Sequence, residues 1–219
     1  MRREYGKENS IAPSKECYFY APLTTNNVPT IAWDGDNTVN KQTNCTFTDG
    51  SIKLNASSSG IVWNCAVPQG KNLTFSCWVK KVSGSGVNYN FGCGPKTTTT
   101  RYTGLNYSEI SYCILMQEYL YFYYNPNKTY LTNTNSYTFI TWTMIFNGGN
   151  SYTIKFYKNG ILDNKNTITN TSWKEFKNCY FEIGHFTNSM VALNRHFTCH
   201  EELSDEEVLQ LYNRGGVPE

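Results

Sequence analysis

Leu73-Thr74-Phe75-Ser76-Cys77-Trp78-Val79 alternates strictly, with Leu73, Phe75, Cys77 and Val79 falling on one face. A period of two is the signature of a strand that rests one side on a core, because successive side chains of a strand point to opposite faces. The same period returns in Tyr152-Thr153-Ile154-Lys155-Phe156, which leads into Lys158-Asn159-Gly160-Ile161. Asn-Gly at that place is the strongest short-range signal of a two-residue type I′ hairpin. Upstream, Tyr137 to Phe146 reads as a long strand closed by the turn residues Asn147-Gly148-Gly149-Asn150. Joined in this way, the strands make an antiparallel meander.

Composition extends the reading to the whole chain. Its 219 residues include 34 aromatics (17 Tyr, 12 Phe, 5 Trp), with 26 Asn and 25 Thr. Aromatics and Thr suit strands and Asn suits turns, whereas the Ala, Leu, Glu and Lys richness of helical proteins is missing. From Cys17 onward strand signals recur at intervals of roughly ten to fifteen residues, the rhythm of a sandwich and not of βαβ units. One helix is expected. Ser204-Asp205-Glu206-Glu207 has the form of a capping box, Val208, Leu211 and Tyr212 follow at helical spacing, and Gly215 ends it. The expected fold is therefore all-β, an antiparallel β-sandwich with one short C-terminal helix, over residues 17–219. Residues 1–16, polar and without periodicity, are expected to form an extended N-terminal arm. Lys80 to Gly104, rich in Gly, Ser and Thr, reads as one or two long loops.

A net charge of +2 argues against a dedicated nucleic-acid or anionic-membrane partner. No apolar run approaches the roughly 18 residues of a membrane span, so no membrane insertion is expected. The opening Met1-Arg2-Arg3-Glu4-Tyr5-Gly6-Lys7-Glu8 lacks the apolar core of an export signal. The eight cysteines include no C-x-x-C pair, and Cys77 and Cys113 sit inside apolar strand-like runs. They are expected to be mostly reduced thiols, acting as small hydrophobes in a protein made in a cytoplasm.

Tyr20-Ala21-Pro22-Leu23, then Leu73 to Val79, Phe139-Ile140-Thr141-Trp142-Thr143, Phe156-Tyr157-Lys158-Asn159-Gly160, Phe181-Glu182-Ile183-Gly184 and Leu203 to Tyr212 follow one another in a recognisable order. That succession resembles concanavalin A-like lectin domains of the laminin-G-like jelly-roll type, over about residues 17 to 214. The resemblance implies two curved antiparallel sheets in a concanavalin A-like jelly roll, and binding to glycans or proteins. Before its final helix that family usually carries an Asp-(aliphatic)-Arg-(aliphatic)-Tyr strand. This chain has Leu193-Asn194-Arg195-His196-Phe197 instead, without the acid.

Catalysis finds no support in the residues. The Glu-x-Asp-x-x-Glu strand of the hydrolases that resemble this fold does not occur, and a retaining glycosidase needs two carboxylates about 5 Å apart. Glu201, Glu202, Asp205, Glu206 and Glu207 belong to the helix entry, where they complement the dipole. No G-x-S-x-G elbow is present. On a regular strand His196 and His200 would stand about 13 Å apart, too far to share a zinc ion. Trp33-Asp34-Gly35-Asp36-Asn37-Thr38 offers two readings. Asp34 and Asp36 could supply oxygens to calcium, but they are also ordinary turn residues, and the turn reading is the stronger. No other cofactor is expected. Tyr89, Tyr102 and Tyr107 in or beside the long loops, with Trp33, are the expected glycan-stacking residues, because sugar rings present apolar C–H faces to aromatic side chains. Tyr119 to Tyr124 is aromatic on both strand faces and is expected to be covered by a partner subunit.

The expected function is a non-enzymatic, lectin-like virion component. It would be a bacteriophage head or tail fibre subunit, assembled in the host cytoplasm as a homo-oligomer, with a trimer as the expected symmetry. Its arm would hold other virion proteins, and it would bind host or mucosal glycans. The alternative is a carbohydrate-binding adhesion protein on a bacterial surface or secreted from it.

Overall fold

The computed structural model describes residues 15–55, 59–83, 91–94, 112–116, 119–122, 128–130, 136–149, 151–169, 179–186 and 191–218. In chain order its strands are β1 Cys17–Ala21, β2 Ile31–Ala32, β3 Val39–Thr43, β4 Cys45–Thr48, β5 Ser51–Asn55, β6 Ser59–Ala66, β7 Leu73–Ser83 and β8 Phe91–Gly94. There follow β9 Tyr112–Met116, β10 Tyr119–Phe122, β11 Lys128–Tyr130, β12 Thr138–Gly148, β13 Ser151–Lys158, β14 Ile161–Thr169, β15 Tyr180–Phe186 and β16 Val191–Glu201, then helix α1 Asp205–Asn213. A nine-stranded sheet runs β14-β13-β12-β7-β16-β1-β2, with β5 also on β16 and β4 on β5. A seven-stranded sheet runs β11-β10-β9-β8-β15-β6-β3. Every pairing among them is antiparallel. The β-sandwich with one C-terminal helix is thus the fold.

The alternation of Leu73 to Val79 places Leu73, Phe75, Cys77 and Val79 in the core between the sheets. Phe75 stacks on Trp142 of β12 at 4.3 Å between ring centres and meets Phe181 of the opposite sheet at 6.2 Å. Phe19, Trp63, Phe91 and Phe197 complete this aromatic interior. Cys65, Cys77, Cys93, Cys179 and Cys199 are buried and fill gaps as small apolar side chains.

The other face of β7 is also buried, which alternation alone does not announce. Thr74 and Ser76 bond across to Thr143 and Thr141 of β12 at 3.0 and 2.9 Å, satisfying hydroxyls that have no access to water. Above this face lies α1, whose Val208 and Leu211 pack with Phe139, Tyr157 and Leu203. The expected capping box forms: Ser204 Oγ accepts from Glu207 N–H and Glu207 accepts from Ser204 N–H. The hairpin tip below is the expected Asn159-Gly160, at φ +52° and +79°. Only glycine fits there, since a Cβ on Gly160 would meet the Tyr212 Cβ at 2.9 Å.

Two expectations are corrected. The stretch from Lys80 to Gly104 is not simply loop, because β7 continues to Ser83 and β8 occupies Phe91–Gly94. Phe91 and Cys93 alternate into the core, and the glycines around them had masked a short strand. β16 is not a regular strand either. His196 takes φ +55° and the register against β7 slips between Arg195 and Thr198. This bulge inverts the facing of the downstream residues, so that Phe197 and Cys199 point to the core while His200 shares the opposite side with Thr74.

His200 is almost wholly buried and neither ring nitrogen has a hydrogen-bond partner. Burial, and secondarily the positive charge of Arg214, lower its pKa to about 4, with Glu207 acting in the other direction. Cys17 of β1 and Thr74 of β7 face it across the ladder. A histidine held neutral in the fold binds its proton more readily once unfolded, so stability is lost as pH falls from about 6.5 towards 4. Urea denaturation across that window should show a fall on the order of 3 kcal/mol, and in His200→Leu the slope should flatten. Asp205, whose carboxyl Lys155 and Tyr157 hold below its ordinary 3.8, enters only at still lower pH.

Candidate functional site

Of the expected glycan-stacking residues, Trp33 lies among the described residues, whereas Tyr89, Tyr102 and Tyr107 lie outside them. Trp33 follows the edge strand β2 and is 48% exposed, which is unusual for the largest apolar side chain. It is nonetheless fixed. Its backbone N–H donates to Tyr18 O at 2.9 Å and its indole Nε1–H donates to Ala66 O at 2.6 Å. The Tyr18 ring meets it edge-on, 6.4 Å away.

Asp34 closes the clamp from the other side. Its Oδ2 accepts the Ala66 N–H at 2.9 Å, so one residue of β6 both accepts from Trp33 and donates to Asp34. Its Oδ1 accepts the Asp36 N–H at 3.0 Å, and Asp36 Oδ1 accepts the Thr38 N–H at 3.0 Å and its hydroxyl. Asn64 Nδ2 donates to the same Thr38 Oγ1 at 2.8 Å. Two successive turns of this kind, with Gly35 at φ +80°, are what Asp, Gly and Thr in this order favour. The two carboxylates candidate for calcium are therefore engaged by backbone N–H groups. Among the described residues no three His, Cys, Asp or Glu side chains converge as a metal would require.

The arrangement offers a rigid aromatic plate bordered by Asp34, Asp36, Thr38 and Asn64. An indole with one face to solvent stacks on the C–H face of a sugar, and neighbouring carboxylates, hydroxyls and amides bond its hydroxyls. Because the plate is held before any ligand arrives, little side-chain entropy remains to be lost on binding.

A second polar surface has no local signal in the sequence. Arg195 of β16 lies opposite Trp78 of β7, and Leu193 lies opposite both Lys80 of β7 and Lys53 of β5. Directly opposed residues share a face, so Arg195, Lys80 and Lys53 stand together on the outer side of the nine-stranded sheet. The Arg195 guanidinium carbon lies 4.3 Å from the Tyr137 ring centre and 5.7 Å from that of Trp78. Lys80 Nζ is 6.0 Å from the Tyr137 ring centre. The same alternation that identifies β7 places Trp78 and Lys80 on one face, but nothing local ties Arg195 to them. Elsewhere, burial pushes the Cys17 thiol up to about 12 and the Cys45 thiol to about 11, so neither is a thiolate at neutral pH.

No family model and no curated protein matches this chain. Solved structures do. The botulinum neurotoxin serotype D ligand binding domain in complex with N-acetylneuraminic acid superposes with a TM-score of 0.61 at 18% identity, over 90% of this chain and 50% of that one. The botulinum neurotoxin type G receptor binding domain gives 0.60 at 16%, over 91% and 51%. A botulinum neurotoxin type C structure, whose cell entry depends upon interaction with two ganglioside molecules, gives 0.56 at 18%, over 92% and 51%. The chain spans about half the length of these structures, and at such identities the likeness is one of fold.

Proposed function

We propose that this chain is a non-enzymatic, lectin-like module that binds a glycan by stacking a sugar ring on Trp33. The observation that carries the reading is the combination at Trp33 of large exposure with a fixed pose, both hydrogen-bonding edges of the residue being tied to backbone. A side chain held out of the core at that cost in exposed apolar area is suited to a ligand. The solved domains of similar fold are receptor- or ligand-binding domains, one of them with N-acetylneuraminic acid bound, which supports binding rather than catalysis. Tyr89, Tyr102 and Tyr107, outside the described residues, are further stacking residues in this proposal, and the Asp34–Asp36 turn serves to brace Trp33 in preference to holding calcium.

We further read the chain as a virion component, a phage head or tail fibre subunit that assembles as a homo-oligomer, with residues 1–16 engaging other virion proteins. The polar, aperiodic arm and the Asn, Tyr, Lys and Thr-rich usage support this. A surface or secreted adhesion module is the second reading, favoured by the likeness to toxin binding domains. Light scattering on the full chain separates them: a trimer supports the fibre subunit and a monomer the adhesion module.

Trp33→Ala should weaken binding to a glycan selected on an array by about 1 to 3 kcal/mol, with stability nearly unchanged, because the side chain contributes to a hot spot and not to the core. Phe75→Ala should cost roughly 3 to 5 kcal/mol of stability by emptying a fully buried position. Calorimetric titration together with urea denaturation measures both. Unchanged affinity in folded Trp33→Ala would remove Trp33 from the site.

A further inference from the structure

Arg195, Lys80 and Lys53 are half-buried cations on neighbouring strands, and none of them forms an ion pair among the described residues. Half-burial makes an unbalanced charge expensive, and cations in such a setting ordinarily acquire a carboxylate. Two residues before Arg195, on the same face of β16 and between Lys80 and Lys53, stands Leu193, so the strand itself supplies no acid to the three cations.

The aromatic rings do not substitute for an anion. Tyr137 stacks against the guanidinium, while its hydroxyl pairs with Ser51 Oγ. Trp78 spends its indole N–H on Gly215 O at 2.7 Å. Stacking occupies the faces of a guanidinium and leaves its edges, where the N–H donors lie, to a partner. Arg195 Nε itself is shut off from water, so the edge left to a partner is that of the two terminal nitrogens. Thr46 and Thr48 of β4, opposite Lys53 and Ser51, add hydroxyls beside the cations.

We propose that this face binds the anionic group of an acidic glycan, a carboxylate or a sulfate, with Arg195 as the principal contact and Lys53 and Lys80 as supporting charges. A planar carboxylate or a sulfate edge can accept two N–H bonds from a guanidinium at once, which an ammonium cannot offer. A sugar fits better than an acidic protein segment. Protein partners need large aromatic or Arg anchors, and the strongly exposed apolar residues that border this face among the described ones are Val82 and Val217, a residue type that seldom anchors a protein interface. The proposal rests on the glycan-binding reading and adds a second site to it. Trp33 hangs beside Tyr18 near the Cys199 end of β16, about five residues along the strand from Arg195, or roughly 15 Å.

The test titrates the full chain with lactose, 3′-sialyllactose, a sulfated heparin disaccharide and a poly-glutamate peptide, at low and at high salt. Three variants accompany the parent: Arg195→Gln, the double variant Lys53→Gln/Lys80→Gln, and Trp33→Ala. The expected result is that one of the two acidic sugars binds at least tenfold tighter than lactose. Which one it is assigns the anion as carboxylate or sulfate. Arg195→Gln should abolish that preference, the lysine pair should reduce it about fivefold, and salt should weaken it. Trp33→Ala should lower affinity for all sugars alike while the preference survives. Lactose and both acidic sugars binding equally, unchanged by Arg195→Gln, would overturn the anionic site and leave the glycan reading standing. If no sugar binds, the glycan reading itself falls, and this site with it. Binding of poly-glutamate but of no acidic sugar, lost in Arg195→Gln, would overturn the sugar as occupant. If Arg195→Gln fails to fold, the lysine pair, which leaves Arg195 in place, decides between these outcomes.

Discussion

One strand holds the architecture together. β16 pairs with β7 along one edge, and its other edge is divided between β5 for Val191–Asn194 and β1 for Phe197–His200. Serving two partners on one side requires a change of direction in the middle. The bulge at His196 supplies it, stabilised by His196 N–H donating to Pro22 O at 2.8 Å and by the hydrogen bond between His196 Nδ1 and the Tyr20 hydroxyl. Before the bulge Arg195 faces outward. After it Phe197 and Cys199 face the core and His200 joins the buried outer layer. The outward facing of Arg195, the place of Phe197 in the aromatic core and that of His200 in the outer layer all depend on this single inserted residue.

The outer layer explains why a sheet facing away from the sandwich interior is lined by Thr and Ser. Their hydroxyls pair across β7 and β12, and Thr74 Oγ1 also accepts the Leu203 N–H at 2.9 Å, anchoring the segment that enters α1. α1 then lies over Phe139 and Tyr157, and Gly160 lets the β13–β14 hairpin approach it closely. Thr74, Ser76, Thr141 and Thr143 pack closely under the helix because their hydroxyls satisfy one another, whereas Thr198 Oγ1 and the His200 ring in the same layer have no partner. Tyr157 and Lys155 both reach Asp205 at 2.8 Å, tying the helix start to β13.

Local pattern is what a sequence displays. Leu73 to Val79, the Asn159-Gly160 turn and the Ser204 capping box are each decided within a few residues, and each forms as expected. The bulge at His196 could not be read, since φ > 0 at a histidine depends on the competing demands of β1, β5 and β7. β8 was hidden because two glycines in Phe91-Gly92-Cys93-Gly94 look like loop until a neighbouring strand claims them. The site divides in the same way. Trp33 stood out beside the turn residues Asp34 to Thr38, while its clamp to Ala66 is a long-range contact with no local trace. Arg195, Lys80 and Lys53 are brought together by strand order alone, from three distant segments.

The central claim is that a sugar ring stacks on Trp33, and the most direct measurement is of the indole N–H resonances of the chain's five tryptophans while a glycan is titrated. Trp33, assigned through Trp33→Phe, donates its indole proton to Ala66 O beside an open ring face, whereas those of Trp63 and Trp142 donate to Asn27 O and Phe91 O from within the core. The account predicts a saturable shift of the Trp33 resonance with the core indoles unmoved. A glycan that binds and saturates while the Trp33 resonance stays fixed would contradict it.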